Sequence, residues 1–203
     1  MDDKVTAVLE SYHQRIEDER EGRFDDSATG GGRDRYLLPV GPESGRLINI
    51  LARSLKAPNI LEIGTSYGYS GIWLAEAARA SGGHVTTLEL QDYKIAHARE
   101  MAARAGLSEH IDFLQGDALE LIARLPAGID FVLLDLWKDL YIACLDAFFP
   151  KLNPGAIVVA DNIIYPGGED VRRYSRAVRA NPGMTSILVP VGAGLEISRY
   201  EPD

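Results

Sequence analysis

From Asn59 to Ala180 short apolar runs rich in β-branched residues alternate with longer segments of helical periodicity, and that alternation narrows the fold more than anything else. Ile60 to Ile63, His84 to Leu88, Ile111 to Leu114, Ile129 to Leu134 and Ala156 to Val159 read as strands. Gly71 to Ala80, Ala96 to Ala105, Leu119 to Leu125, Leu140 to Phe149 and Val171 to Ala180 read as the intervening helices, with Gly106 just past the end of one. Strand, helix and strand in that order form crossover units, so a mostly parallel sheet with helices on both faces follows. The end departs from this pattern. Thr185 to Val189 and Leu195 to Tyr200 are separated by Pro190 and Gly-Ala-Gly, with no room for a helix, which predicts a closing antiparallel hairpin. The expected architecture is one doubly wound α/β sheet of seven strands.

Upstream, Val5 to Arg20 places Val5, Val8, Leu9, Tyr12 and Ile16 at helical spacing, and Pro42 to Leu55 reads as a helix with Pro42 in its first turn. Between them Gly22 to Arg35, with consecutive Gly30, Gly31 and Gly32, reads as a mobile loop, a lid over a site being the alternative. The chain divides into an N-terminal helix and loop over residues 1–34 and one domain over 35–203, with no internal repeat. A net charge of −9 argues against nucleic acid, whose phosphates need clustered Lys and Arg. The first twenty residues hold no apolar signal core, and no apolar run approaches the ~20 residues of a membrane span. Cys144, the lone cysteine, sits at a helical core position and excludes an intrachain disulfide, so a cytoplasmic location is expected.

The polar residues just past the strand ends carry the chemistry, because open α/β sheets bind ligands there. Asp135 and Lys138 follow one apolar run, Asp161 and Asn162 another. Two Asp and one Asn offer hard oxygen ligands for Mg²⁺ or Ca²⁺, with a titratable lysine beside them. Singly, Lys138 could be half of an exposed ion pair and Asp161-Asn162 a turn. Gly64 and Gly68 in Leu61-Glu62-Ile63-Gly64-Thr65-Ser66-Tyr67-Gly68-Tyr69-Ser70 allow close backbone approach, Ser70 suits a helix cap, and the helix start offers N–H groups to an anion. The spacing is Gly-x-x-x-Gly rather than the Gly-x-Gly-x-x-Gly of dinucleotide folds, and alone it reads equally as a tight turn. Glu89, ending the second strand, is placed to accept hydrogen bonds from ribose hydroxyls. Gly116-Asp117-Ala118 follows the third strand, where it could edge an adenine ring or cap a helix. Together these strand ends point to a nucleoside with a carboxylate-bearing tail, S-adenosylmethionine. His13, His84, His97 and His110 show no ligand-like spacing.

From about Arg35 to Tyr200 the chain resembles the metal-dependent catechol O-methyltransferase family of class I S-adenosylmethionine-dependent methyltransferases. The resemblance is carried by Leu-Asp-Leu-Trp-Lys-Asp-Leu-Tyr (134–141) and Ala-Asp-Asn-Ile-Ile-Tyr-Pro-Gly (160–167), supported by Glu62-Ile-Gly, Gly68-Tyr-Ser, Val40-Gly41 and Gly194-Leu-Glu-Ile. It implies a Rossmann-like methyltransferase fold in which Asp135, Asp161 and Asn162 hold Mg²⁺ and Lys138 acts as general base. It implies that Trp137 packs on the adenine, Glu89 binds the ribose, and Ser70 with the backbone at Gly64 and Ser66 holds the methionine portion. Val40, Glu62, Gly68, Tyr69, Leu90, Asp117 and Ala118 complete the expected cofactor site, to which Asp135 also contributes. Leu136 stands where the animal catechol enzymes have histidine, and Thr185 to Val191 holds no counterpart of their acid before the last strand. The acceptor implied is a small molecule with a hydroxyl beside a second oxygen, catechol-like or otherwise, and a homodimer is the expected assembly. An NAD-type oxidoreductase on a related sheet and a non-catalytic nucleoside-binding module are the alternatives.

Overall fold

The computed structural model describes residues 1–23 and 35–202. Residues 24–34, which hold the glycine triplet and most of the expected loop, lie outside the described residues, so the loop and lid readings do too.

The seven strands are β1 (Asn59–Ile63), β2 (His84–Glu89), β3 (Ile111–Gln115), β4 (Ile129–Leu134), β5 (Leu152–Ala160), β6 (Met184–Val189) and β7 (Leu195–Tyr200). They form one sheet in the order β3-β2-β1-β4-β5-β7-β6, with parallel pairing from β3 through β5. β7 inserts between β5 and β6 and runs antiparallel to both, which is the expected hairpin. Strand order reverses between β1 and β4, so their carboxyl ends flank the crevice that such a switch point opens.

The helices are α1 (Asp3–Arg20), α2 (Pro42–Arg53), α3 (Tyr69–Ser81), α4 (Asp92–Arg104), α5 (Ala118–Arg124), α6 (Tyr141–Phe148) and α7 (Glu169–Ala180). Period-two alternation sorts the strand residues between two cores. Ile60, Phe131, Leu133, Ile157 and Val159 pack with α1 to α4, whereas Leu61, Val132, Leu134, Val158 and Ala160 pack with α5 to α7. α1 begins where Asp2 accepts a hydrogen bond from Val5 N–H, and its Val5, Val8, Leu9 and Tyr12 join the same core as β1 and α3.

Most element starts fall within two residues of expectation, and the two larger departures lie in α4 and β5. α4 begins at Asp92 rather than Ala96: Ile95 in its first turn is buried in register with Ala98 and Ala102, and Asp92 supplies the acidic start that the helix dipole favours. β5 begins at Leu152 rather than Ala156, with Asn153, Pro154 and Gly155 pairing weakly beside a register shift opposite Ile129 and Phe131. Among the described residues no helix is long and apolar enough to cross a membrane.

Candidate functional site

The loop from β1 to α3 is shaped by its left-handed residues. Gly64 has φ 105°, and a Cβ there would collide with the carbonyl oxygen of Asp135. Gly68 has φ 92° and precedes α3 without any side-chain cap. A Cβ on it would lie 2.7 Å from the Ala98 methyl. Glycine is required at both positions because only it combines positive φ with such close approach. Ser66 (φ 47°) turns its N–H toward Glu89, whose Oε2 accepts at 2.8 Å. The other oxygen of Glu89 accepts from Leu90 N–H at 2.9 Å and Gln91 N–H at 3.0 Å, so its carboxylate is fixed at the end of β2. Gly116 N–H meets the Glu89 carbonyl at 3.0 Å, bringing the end of β3 alongside. Asp117 caps α5 by accepting from Leu119 and Glu120 N–H, and Ala118 begins that helix, half-buried.

Beneath the loop Glu62 is fully buried. Thr87 and Ser70 donate hydroxyl hydrogen bonds to it, and Thr65 is bonded in turn to Thr87. Burial pushes the Glu62 carboxyl up to about 7, against the lowering by those two hydroxyls. Its Oε1 is buried with no protein partner.

Across the switch point β4 and β5 each extend one hydrogen bond past their ends. Asp135 N–H donates to Ile63 O at 2.9 Å and Asp161 N–H to Leu134 O at 3.1 Å. The ladders thereby bring both aspartates to the level of Gly64. Lys138 lies in a 3₁₀ turn (Lys138–Leu140) and donates to Asp135 Oδ1 at 2.9 Å and to Tyr141 Oη at 2.8 Å. Tyr141, buried at the start of α6, has the carbonyls of Leu134 (3.0 Å) and Asp161 (3.1 Å) within reach of its own proton. Desolvation first and the Asp135 charge second raise the Asp161 carboxyl from its ordinary 3.8 to about 7, with Lys138 acting in the opposite direction. Asn162 holds a left-handed backbone (φ 62°), strain that clusters at functional sites. Its Nδ2 donates to Tyr165 O at 3.2 Å, which leaves Oδ1 as the amide atom that could face a cation.

Among the described residues no three His, Cys, Asp or Glu side chains gather as a metal cluster. The trio here is two carboxylates and one amide oxygen, which suits a hard, oxygen-seeking cation. A buried carboxyl pushed toward neutrality by desolvation, and further by a second carboxylate, marks a place where added positive charge is favourable.

Gly64, Ser66 and Glu89 thus meet on one side of the switch point, and Asp135, Lys138, Asp161 and Asn162 on the other. Trp137 (53% exposed) and Leu90 (61%) stand open at the surface, available to a ring. Other expected residues turn elsewhere. Ser70 does not cap α3: it is the helix's second residue, spends its hydroxyl on Glu62, and is buried. Tyr69 does not present its ring to a pocket, because the ring is buried against Tyr12, His13 and Trp73 with its hydroxyl 2.9 Å from His13 Nε2. The side chains of Val40 and Glu62 are likewise buried. Tyr141 was overlooked although it stands inside the 134–141 motif. Its place three residues after Lys138 was the available signal.

A methyltransferase-domain family profile matches residues 61–163. The chain is 32% identical to the catechol O-methyltransferase of Niastella koreensis over 171 residues, 76% of this chain and 77% of that one. It is 35% identical to the catechol O-methyltransferase of Mycobacterium tuberculosis over 132 residues, 64% of this chain and 60% of the relative. Among solved structures it superposes on the O-methyltransferase TomG of Streptomyces achromogenes, solved with S-adenosylmethionine, at a TM-score of 0.72 and 26% identity. That match covers 99% of this chain and 91% of the other.

Proposed function

We propose, for a chain that belongs to the catechol O-methyltransferase-like family of class I S-adenosylmethionine-dependent methyltransferases and is an O-methyltransferase of small molecules, a divalent-cation-dependent transfer to an acceptor carrying two adjacent oxygens. One observation supports the metal part: the Asp161 carboxyl, raised to about 7 by burial first and by the Asp135 charge second, lies with Asp135, Lys138 and the Asn162 amide at the ends of β4 and β5. Membership of this family sets aside the oxidoreductase reading. Gly64, Ser66, Gly68, Glu89, Leu90, Asp117, Ala118 and Trp137 would form the cofactor half of the site.

In that half Glu89, held by three backbone N–H groups, would accept from the ribose hydroxyls. Trp137, Leu90 and Ala118 would bracket the adenine, while Asp117 keeps α5 in place behind it. The uncapped start of α3 behind Gly68, with the backbone at Gly64 and Ser66, would receive the methionine carboxylate.

Asp135, Asp161 and Asn162 would hold the cation, Mg²⁺ being the best fit to three oxygens with room for solvent and substrate. When bound, it would lower the pKa of a coordinated hydroxyl, which for a free phenol lies near ~10. Lys138 is the proton acceptor in this reading. With two N–H bonds directed at Asp135 and Tyr141, a neutral amine keeps its lone pair for the remaining tetrahedral direction. The proton taken from the acceptor would occupy that third position. The attacking oxygen then needs only alignment with the methyl carbon and sulfur, and holding both reactants can supply ~7–11 kcal/mol.

A panel of catechols and related vicinal diols assayed with labelled S-adenosylmethionine, with and without chelator, tests this. Metal-stimulated methylation of at least one catechol-like acceptor supports the proposal. Transfer indifferent to chelation removes the metal from it.

A further inference from the structure

Near the carboxyl end of α1, Arg15 and Glu19 form an ion pair (Nε to Oε1, 2.9 Å) whose side chains are only 16% and 9% exposed. A carboxylate in the last turn of a helix is opposed by the helix dipole, so the pair is not explained by α1 alone. Its other contacts explain it. Both oxygens of Glu19 accept from Leu37 N–H, at 3.2 and 3.1 Å, and Arg15 Nη2 donates to Arg35 O at 3.0 Å. The pair therefore grips the backbone of 35–37 from both sides, reading one acceptor and one donor.

The gripped segment is tied onward to the glycine loop. Leu37 O accepts from Ser66 Oγ at 3.3 Å, and Ser66 N–H donates to Glu89 Oε2. Arg15 also stacks over the Tyr67 ring at 4.2 Å, and Tyr12 Oη donates to Tyr67 O at 2.6 Å. Leu38, next in the chain, holds φ 44°, a strained conformation for a leucine that persists only where neighbours enforce it.

We infer that Arg15 and Glu19 are positioning residues for the cofactor: through Leu37 they set the conformation of Ser66 and so the aim of Glu89. The inference rests on the nucleoside reading of the glycine loop. Neither residue touches the ligand, and their contribution is to present the loop already ordered, which lowers the entropic cost of binding.

Calorimetric titration with S-adenosylhomocysteine and steady-state kinetics on the full chain test it. Glu19→Ala should weaken S-adenosylhomocysteine binding and raise KM for S-adenosylmethionine by about tenfold, the loss expected for a hydrogen bond to a charged group. Its kcat at saturating cofactor should stay within about twofold, because the reacting groups are untouched. Glu19→Gln keeps a carbonyl acceptor for Leu37 N–H and should recover most of the affinity. The double exchange Arg15→Glu with Glu19→Arg keeps an ion pair on α1 but offers Leu37 no acceptor, so it should behave like Glu19→Ala. Should Glu19→Ala not fold, the double exchange decides. Affinity within about twofold of wild type in the exchanged variant, whatever its melting temperature, overturns the inference and leaves the pair a helix-stabilising contact. A wild-type chain that binds no S-adenosylhomocysteine overturns the nucleoside reading itself, and the inference with it.

Discussion

Lys138 Nζ lies 2.9 Å from Asp135 Oδ1, in a contact where both side chains are largely withdrawn from solvent. A lysine, an aspartate and the buried Asp161 thus lie together, two carboxyl groups to one amine. A divalent cation and a protonated Lys138 would compete for the same Asp135 oxygen, so a bound cation would favour loss of the Lys138 proton to solvent and leave a neutral amine able to accept one. Under the proposed function, that coupling would suit the site to deprotonating a hydroxyl.

Lys138→Met should lower kcat by roughly 10²- to 10⁴-fold, the usual contribution of a positioned general base. Affinity for S-adenosylhomocysteine should change less than about threefold, since Lys138 is expected to face the acceptor. Steady-state kinetics paired with calorimetry checks both, and undiminished turnover would remove Lys138 as the base.

Tyr141→Phe should cost about 1–2 kcal/mol of stability in urea unfolding, because the buried hydroxyl serves Lys138 and one of two backbone carbonyls. It should also lower kcat by roughly tenfold, through loss of one of the two contacts that aim the amine. A stability loss with unchanged kcat would show the hydroxyl to be structural only.

Asp161 and Glu62 both hold protons more tightly folded than unfolded, each raised to about 7. For such groups the stability is fully present below the unfolded value near 4 and is lost as pH rises through about 7. The melting temperature of metal-free protein should therefore fall across that window, and fall less in Asp161→Asn. Added Mg²⁺ should raise it more at about pH 8 than at about pH 5, since the cation and the proton compete for Asp161. Equal slopes in wild type and variant would show that Asp161 titrates normally.

Gly64→Ala combines a positive φ with a methyl driven against the Asp135 carbonyl, which can relax only by parting β1 from β4. Destabilisation beyond about 3 kcal/mol is expected, or failure to accumulate as soluble protein. Wild-type unfolding behaviour in this variant would mean that the strands part easily at the switch point.

The alternation of strand and helix, the terminal hairpin and the two polar motifs were legible because each lies within a short window. Strand period, β-branched content and a lysine three residues from an aspartate need no knowledge of distant chain. Even Asp135 and Asp161 could be paired in advance, since parallel neighbouring strands deliver their ends to one edge of a sheet. The surroundings of Ser70, which does not cap α3, and of Tyr69 were not legible for the opposite reason. Their directions depend on Glu62 from β1 and on Tyr12 and His13 from α1, and only the packing of α1 on α3 turned the tyrosine inward.

The same division holds for the grip on the loop. Arg15 and Glu19 are a helical i,i+4 pair, and nothing in their own turn of α1 marks them as buried where Glu169 and Arg172 on α7 lie open to solvent. Tertiary structure alone laid residues 35–37 across them and set Tyr12 Oη on a carbonyl 55 residues away. Local periodicity chooses which elements form and which face each buries. Which backbone amide a buried carboxylate must satisfy is decided only when separate layers close on one another and exclude water.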